Sequence, residues 1–296
     1  MLGRTINLPL CFSSVRRSEL VLFAYFIYAT ILAQLLPIGR EVREVASVLN
    51  LTILASYSLL IYAHSLRDRD LLGTLRDWFP LALVLLAYRE MGWFAPQTRS
   101  FDLERRWIIF DRLVLRDWHV HDAIEWMGPL VPSVLEISYS LVYVIAPFAL
   151  AMIYAYGSHK RTERFMLIFV LGVLLAYVQF PFWPSEPPRT VFPGEDAPSI
   201  HTVFRRFNWF LLSGYGIHTS VFPSAHVSGA FAAAFGIRRA LPEKPWVARS
   251  LFVLAVLIAT ATVYGRYHYV VDGLAGFAVS IVALGLGLVV ERSSSS

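Results

Sequence analysis

The sequence predicts an all-α fold, a polytopic bundle of about eight transmembrane helices. Of its 296 residues, 56% are hydrophobic and only 16% are charged, whereas a soluble domain carries about 25% charged residues. A water-soluble globule of this length could not bury so much apolar surface. The composition therefore excludes a soluble enzyme, a disordered chain and a nucleic-acid-binding module as the whole protein, and it indicates an integral membrane protein.

Eight apolar runs are candidates for crossing about 30 Å of hydrocarbon. They cover residues 20–36, 45–63, 78–93, 134–154, 165–183, 224–241, 247–264 and 268–290. Because backbone polar groups in lipid must be satisfied within the segment, each run is predicted to be a helix. The third run is the weakest, since it is short and contains Pro80, Arg89 and Glu90. Small residues in the sixth and eighth runs, Gly273 and Gly276 among them, predict close helix packing.

Basic residues predict the orientation of the bundle. They concentrate in three connections that fall on one side of an eight-helix arrangement. These are Arg67, Arg69 and Arg76; His159, Lys160, Arg161 and Arg164; and Arg238, Arg239, Lys244 and Arg249. We expect a multi-pass protein of a bacterial plasma membrane, with this side and both termini cytoplasmic. The two long connections, 94–133 and 184–223, are then extracytoplasmic.

One segment at the outer interface pairs an imidazole with a carboxylate. His268 and Asp272 are four residues apart, so they share one face of a helix. The carboxylate can accept a hydrogen bond from one ring nitrogen, which leaves the other nitrogen as a nucleophile or base. The alternative is a structural polar pair at a helix end.

Two further segments at this interface carry groups suited to phosphate. Ser224 is predicted to cap a helix, which places His226 in the first turn beside free backbone N–H groups that favour an anion. Arg189 lies in a proline-rich stretch, and its guanidinium can bind two phosphate oxygens at once. Together with His268 and Asp272, these residues form a minimum set for phosphoryl transfer through a phosphohistidine without a metal ion.

At these residues the chain resembles the type 2 phosphatidic acid phosphatase superfamily, which shares its active-site design with the vanadium haloperoxidases. Residues 223–226, Pro-Ser-Ala-His, are similar to the second motif of that family, Pro-Ser-Gly-His. Residues 268–272 match the His-x3-Asp end of the third motif. Residues 187–189, Pro-Pro-Arg, resemble the first motif in the branch related to inositol phosphorylceramide synthase.

Some basic residues of the family motifs are replaced in this chain. Phe182 stands where the first motif has Lys, Thr190 where it has Pro, and Thr262 where the third motif has Arg. Arg266 is a candidate substitute for the missing arginine. These departures favour the phosphotransferase-like branch over a simple phosphatase.

The resemblance implies a role for each candidate residue. His268 attacks phosphorus, Asp272 orients it, and His226 protonates the leaving alkoxide and then activates the acceptor. Residues implied to hold the phosphoryl oxygens are Arg189, Arg266 and Ser224. No cofactor and no metal are expected. The expected partners are the membrane, a lipid phosphate or phospholipid substrate, and a polyol or lipid alcohol acceptor, but not nucleic acid.

The resemblance also implies a domain organisation. A six-helix catalytic core would cover residues 78–292, and residues 1–77 would form an additional N-terminal pair of helices. The terminal serines, 293–296, are predicted to be a disordered tail. Nothing in the sequence indicates an oligomeric state.

Polar residues outside the motifs leave alternatives open. Arg89 with Glu90, and Glu136 with Tyr139, are expected at similar depth; they either recognise the substrate headgroup or form an ion pair between helices. The stretch 117–125 contains two histidines and three acidic residues, but its tryptophan-rich surroundings indicate an interfacial amphipathic helix rather than a metal site.

Two other functions also remain open. A lipid or ion transporter would place ionisable residues deep in several spans, whereas here they cluster at one interface. A catalytically silent scaffold is compatible with the missing motif residues.

Overall fold

The described part of the chain is all-helical, which confirms the predicted fold class. The computed structural model describes residues 15–66, 70–94, 100–157, 161–217, 219 and 222–292. Their α-helices, in chain order, are α1 (Arg17–Leu35), α2 (Arg40–Leu66), α3 (Asp70–Phe94), α4 (Asp102–Arg112), α5 (Val120–Glu125), α6 (Leu130–Ser140), α7 (Val142–Tyr156), α8 (Thr162–Tyr177), α9 (Pro188–Val191), α10 (Val203–Tyr215), α11 (Ala225–Ala240), α12 (Pro245–Tyr264) and α13 (Val270–Arg292). The predicted tail, 293–296, lies outside the described residues.

Six helices of the described chain are long and apolar enough to cross a membrane. They are α1, α2, α3, α8 with the short turn that follows it, α12 and α13. A seventh span results if α6 and α7 are counted together. The sixth predicted span, residues 224–241, corresponds to α11, which has 16 residues and is therefore about 24 Å long. It is a short helix at the centre of the bundle, in contact with α8, α12 and α13.

The predicted span over residues 134–154 is bent in the structure, because α6 and α7 meet at an angle of 66°. Two serine hydroxyls in the last turns of α6 hydrogen-bond to carbonyls one turn earlier: Ser138 to Val134 at 2.7 Å and Ser140 to Glu136 at 3.3 Å. Such bonds bend helices. The Glu136 carbonyl also accepts from the Asn208 side chain at 2.9 Å, so it is drawn away from the regular helix ladder.

Small residues allow the central helices to approach closely, as predicted. A Cβ atom added to Gly172 of α8 would lie 2.3 Å from that of Ala232 in α11, and one added to Gly276 of α13 would lie 2.3 Å from the carbonyl oxygen of Ser224. The second contact brings the starts of α11 and α13 together. These two helix starts carry the predicted catalytic motifs.

The segment from α4 to α5 lies beside the start of α13. Trp118 and Trp126 in this segment are exposed, as expected of an amphipathic helix at a membrane interface. Trp107 differs, because its ring stacks on Phe222 at 5.0 Å and contacts Tyr269 at 5.6 Å. The segment therefore covers the region where the motifs converge.

Candidate active site

The loop between α12 and α13 presents His268 beside Asp272. The backbone N–H groups of Tyr267 and His268 both donate to the carbonyl of Thr262 at 2.9 Å, so the end of α12 fixes the loop. Oδ2 of Asp272 lies 3.3 Å from Nδ1 of His268 and accepts from the backbone N–H of Tyr269 at 2.9 Å. The carboxylate is therefore placed to orient the imidazole and to leave Nε2 as an acceptor or nucleophile.

Ser224 begins α11 and joins it to α13. Its hydroxyl accepts from the backbone N–H of Val227 at 3.3 Å, which confirms the predicted helix cap. Its own backbone N–H donates to the carbonyl of Asp272 at 3.0 Å. This N–H, which was expected to be available to a phosphate, instead holds the two helix starts together.

The two histidines of the motifs are in direct contact. Nδ1 of His226 lies 3.3 Å from Nε2 of His268, and the ring centres are 5.4 Å apart. The ring of Tyr139 stacks on His226 at 5.1 Å. His226, His268 and Asp272 therefore form one continuous line of polar contacts at the starts of two neighbouring helices.

Arg189 lies beside this line, in the short helix α9. Its backbone N–H donates to the carbonyl of Arg266 at 3.3 Å, and its Nη1 donates to the carbonyl of Tyr267 at 3.4 Å. The guanidinium carbon lies 5.6 Å from the ring centre of Tyr267. The charge of Arg189 is close enough to act on His226, so it is placed to attract an anionic group to the imidazoles.

Arg266 is buried and forms an ion pair with a residue from a distant part of the chain. Its Nη1 donates to Oδ2 of Asp111 at 2.6 Å, while Oδ1 of Asp111 accepts from the backbone N–H of Val270 at 2.8 Å. Within the described residues, Nε and Nη2 of Arg266 have no hydrogen-bond partner. Burial raises the pKa of Asp111 to about 6, although Arg266 acts to lower it.

Glu136 is the acceptor in a buried network next to the site. It accepts from Nη1 of Arg205 at 2.8 Å, from Nδ2 of Asn208 at 2.7 Å and from the hydroxyl of Tyr267 at 2.6 Å. Tyr139, from the same helix as Glu136, stacks on Tyr267 at 4.0 Å. The network therefore supports the Tyr267 backbone, whose carbonyl binds Arg189.

Arg89 and Glu136 do not form the ion pair that was one of the two alternatives for these residues, and their role in headgroup recognition stays a prediction. Nη1 of Arg89 donates to the carbonyl of Tyr215 at 2.8 Å, and Glu90 accepts from the amide of Asn50 at 2.6 Å. The carboxylate of Glu136 is instead used by its three buried donors. Arg89 and Glu90 therefore lie apart from the network that Glu136 and Tyr139 share around Tyr267.

The acidic and histidine-containing stretch near α5 pairs locally and with its neighbours. Nδ1 of His119 lies 3.0 Å from Asp122, and Glu125 accepts from the hydroxyl of Tyr264 at 2.9 Å. Within the described ranges, no three His, Cys, Asp or Glu side chains are grouped so that they could hold a metal ion.

Sequence reasoning did not identify several residues that build the site. The sequence indicates a shared role for Arg205 and Asn208 only weakly. They lie three residues apart on a helix whose other face is apolar. Tyr267 lies within the third motif segment but was given no role. Nothing in the local sequence indicates a role for Asp111, because its partner Arg266 is 155 residues away.

More than half of the chain is similar in sequence to a known protein family. Residues 103–286, well over half of the chain, match the sequence model of the PAP2 superfamily. The chain belongs to the PAP2 superfamily. A PA-phosphatase related-family protein of Dictyostelium discoideum is 43% identical over 63 residues, which are 21% of this chain and 11% of that relative. The match thus spans about a tenth of the relative's length. No solved structure matches the chain.

In this member of the PAP2 superfamily, a largely apolar cavity of about 110 Å³ lies against His226. It runs between α3, α7, α8 and α11 and has Gly229 in its wall. Four tyrosines contribute to its lining: Tyr88, Tyr143, Tyr177 and Tyr215. The cavity reaches His226 at the end of the polar line, so the site combines imidazole and carboxylate groups with an apolar surface suited to a hydrocarbon chain.

Proposed function

We propose that the chain is an integral membrane enzyme that transfers a phosphoryl-containing headgroup of a lipid to an alcohol through a phosphohistidine on His268. The observation that carries this proposal is the unbroken contact from Asp272 through His268 to His226. A carboxylate that orients an imidazole, with a second imidazole at the other ring nitrogen, supplies a nucleophile and a proton donor at one point.

In the first half-reaction, Nε2 of His268 attacks phosphorus and forms the P–N bond. The P–O bond to the lipid alcohol breaks, and its electron pair passes to the leaving oxygen. His226 donates the proton from Nδ1 to this oxygen. The apolar cavity beside His226 supports this assignment, because it offers space for the hydrocarbon part of the leaving alcohol.

In the second half-reaction, His226 removes the proton from the acceptor hydroxyl. The acceptor oxygen then attacks phosphorus, and the P–N bond breaks with its electron pair returning to His268. A polyol or lipid alcohol as acceptor gives a headgroup phosphotransferase, similar to inositol phosphorylceramide synthase. The apolar wall beside His226 favours a lipid alcohol as the acceptor.

Water as the acceptor gives a lipid phosphate phosphatase, which is the second candidate. The name of the similar Dictyostelium discoideum protein, a PA-phosphatase related-family protein, favours it. The two candidates share every residue of the first half-reaction and differ only in the molecule that His226 activates.

Arg189 and Arg266 are proposed to stabilise the charge that develops on the phosphoryl oxygens. Arg189 lies beside the imidazoles, and Arg266 has two N–H donors with no partner in the described chain. Preorganised donors of this kind stabilise a transition state without reorganising. We propose that these side chains suffice and that no metal or cofactor takes part.

The catalytic site is proposed to face the extracytoplasmic side, with both termini cytoplasmic. The starts of α11 and α13 carry the motifs, while their opposite ends carry the pair Arg239 and Glu291. Basic residues near those ends fit the cytoplasmic side. We also propose that residues 1–77 are an addition to a catalytic core over 78–292.

The test is the purified protein in nanodiscs, incubated with labelled phospholipids and prenyl phosphates, with and without inositol and other polyols. A new phosphodiester identifies a transferase, and free phosphate identifies a phosphatase. The decisive variant is His268→Ala, which is expected to lose turnover while the protein still inserts. His201→Ala is the matched control, because His201 is an exposed histidine in a connection outside the site.

Full turnover in His268→Ala contradicts the nucleophile assignment. Movement of labelled lipid across liposomes that contain the protein, without release or transfer of phosphate, supports a transporter instead. A protein that inserts normally but neither turns over nor moves any lipid of the panel supports a scaffold.

A further inference from the structure

We propose that Asp111 is a positioning residue for this site, which holds Arg266 and the first turn of α13 on either side of His268. The proposal rests on the function proposed above, since it explains how the phosphate-binding guanidinium is aimed. It gives the segment before the motif helices a part in the reaction.

The geometry places one carboxylate across the loop that carries the nucleophile. Oδ2 of Asp111 accepts from Arg266 at 2.6 Å, and Oδ1 accepts from the backbone N–H of Val270 at 2.8 Å. These two donors lie two residues before and two residues after His268. Because a carboxylate is planar and rigid, it fixes the distance between the two ends of this loop.

Arg266 needs such a constraint because of its backbone. Its φ angle is 61°, in the left-handed region that non-glycine residues rarely occupy. Its side chain is only 1% exposed, and a buried cation without a partner is strongly unfavourable. The bond to Asp111 satisfies the charge and fixes the direction of the guanidinium.

The other donor nitrogens of Arg266 indicate which ligand the fixed guanidinium would bind. Nε and Nη2 have no hydrogen-bond partner among the described residues, although buried donors are nearly always paired. A phosphate oxygen is an acceptor that matches two neighbouring N–H groups of a guanidinium. Asp111 thus occupies Nη1 and leaves the nitrogens Nε and Nη2 for the substrate.

The helix that carries Asp111 is itself fixed to the site. Glu104, two turns earlier in α4, accepts from the backbone N–H of Glu186 at 2.9 Å, in the stretch that leads to Arg189. Trp107 stacks on Phe222, just before the start of α11. The helix α4 therefore contacts the segments of all three motifs, which is what a positioning element requires.

The experiment compares Asp111→Asn with Asp102→Asn in the full-length protein. Asp102 is a matched control, because it lies in the same helix, is exposed and, among the described residues, pairs with Arg105 at 3.7 Å. Two probes are used: direct titration with inorganic phosphate, and the kcat and KM for the lipid substrate. Thermal melts of each variant report folding separately.

The expected result for Asp111→Asn is a loss of phosphate affinity and of kcat of about 10- to 100-fold, with little change in the lipid KM, because the apolar cavity is untouched. Arg266→Gln should give the same loss. The double variant Asp111→Asn/Arg266→Gln, which removes both buried charges, should melt no lower than the single variants and show no further loss.

A melt that is lower in Asp111→Asn, with wild-type phosphate affinity and kcat in the folded protein, overturns the positioning role and leaves the proposed function intact. Additive losses in the double variant also overturn it. A wild-type protein that neither binds phosphate nor turns over any lipid overturns the proposed function itself, and the positioning role with it.

Discussion

Nε2 of His268 lies 3.3 Å from Nδ1 of His226, so the two rings are in hydrogen-bond contact before a substrate binds. When a neutral His268 donates from Nδ1 to Asp272, its Nε2 carries a lone pair. Nδ1 of His226 is then the donor of the hydrogen bond between the rings. Because attack requires phosphorus at about 3–3.5 Å from the nucleophile, the phosphoryl group must enter between the two rings and displace this hydrogen bond.

Replacement of His226 separates the two half-reactions. His226→Ala is expected to lower turnover of an unactivated lipid substrate by about 10²–10⁴-fold, the usual contribution of a general acid–base group. With a nitrophenyl phosphate, whose leaving group needs no proton, His226→Ala should keep most of the wild-type rate of the first half-reaction. The phosphohistidine then accumulates, because no base activates the acceptor, and it is measured as acid-labile label on the protein.

Equal losses of His226→Ala with both substrates, without any trapped label, contradict this role. The control is the double variant His226→Ala/His268→Ala, which should trap no label with either substrate.

The close approach of α11 and α13 gives a prediction about packing. Gly276→Ala would place a Cβ atom 2.3 Å from the carbonyl oxygen of Ser224, so the helix starts must move apart. Since catalytic distances tolerate little displacement, activity should fall by about tenfold or more, and the melting temperature should drop. The measurements are turnover and a thermal melt in detergent.

Gly285→Ala is the matched control, because it lies in the same helix and its added Cβ would meet nothing within 4 Å. It should melt at or above the wild-type temperature, since alanine favours a helix over glycine. Equal effects of the two substitutions would show that the contact with Ser224 is not the cause.

Local patterns explain which parts of the site could be predicted from the sequence. His268 and Asp272 are four residues apart, and Ser224 precedes a helix start, so both relationships follow from helix geometry. The transmembrane helices could be predicted from the apolar runs, because length and composition decide whether a segment crosses a membrane.

Relationships between distant segments could not be predicted in this way. The pair of Asp111 and Arg266 depends on how α4 packs beside α13. The carboxylate of Glu136 pairs with Arg205 and not with Arg89, because the amphipathic helix α10 packs against α6. This packing brings a cation and an amide to the carboxylate. The bend after Ser140 likewise results from side-chain hydrogen bonds that a hydropathy pattern does not contain.

The environment of Glu136 predicts a structural rather than a recognition role. Glu136→Gln leaves Arg205 charged and buried, and breaking a buried pair costs about 3–5 kcal/mol. We expect a lower melting temperature and reduced turnover, because Tyr267 loses its support. The ranking of lipid headgroups, measured as relative rates over a substrate panel, should not change.

Glu44→Gln serves as the control for that substitution, because Glu44 is exposed and pairs only with Arg40 within its own helix. Glu44→Gln should change neither the melting temperature nor the ranking of lipid headgroups. A changed headgroup ranking in Glu136→Gln at an unchanged melting temperature would instead support substrate recognition by Glu136.

The acid titration of Asp111 should appear in the ratio of wild-type activity to the activity of Asp111→Asn. Burial raises the pKa of Asp111 to about 6 from its usual 3.8, so the folded chain binds this proton more tightly than the unfolded chain. Lowering the pH through about 6 therefore adds stability from this group, while it removes the charge that holds Arg266. At pH 5 the protonated carboxyl resembles the neutral amide of asparagine.

The ratio of wild-type to Asp111→Asn activity should consequently be about 10- to 100-fold at pH 8 and shrink toward one at pH 5. Using a ratio removes the pH effects that both proteins share. The same ratio for Asp102→Asn should stay near one throughout. A ratio for Asp111→Asn that is constant from pH 5 to pH 8 would mean that the charge of this carboxylate does not act on Arg266 during turnover.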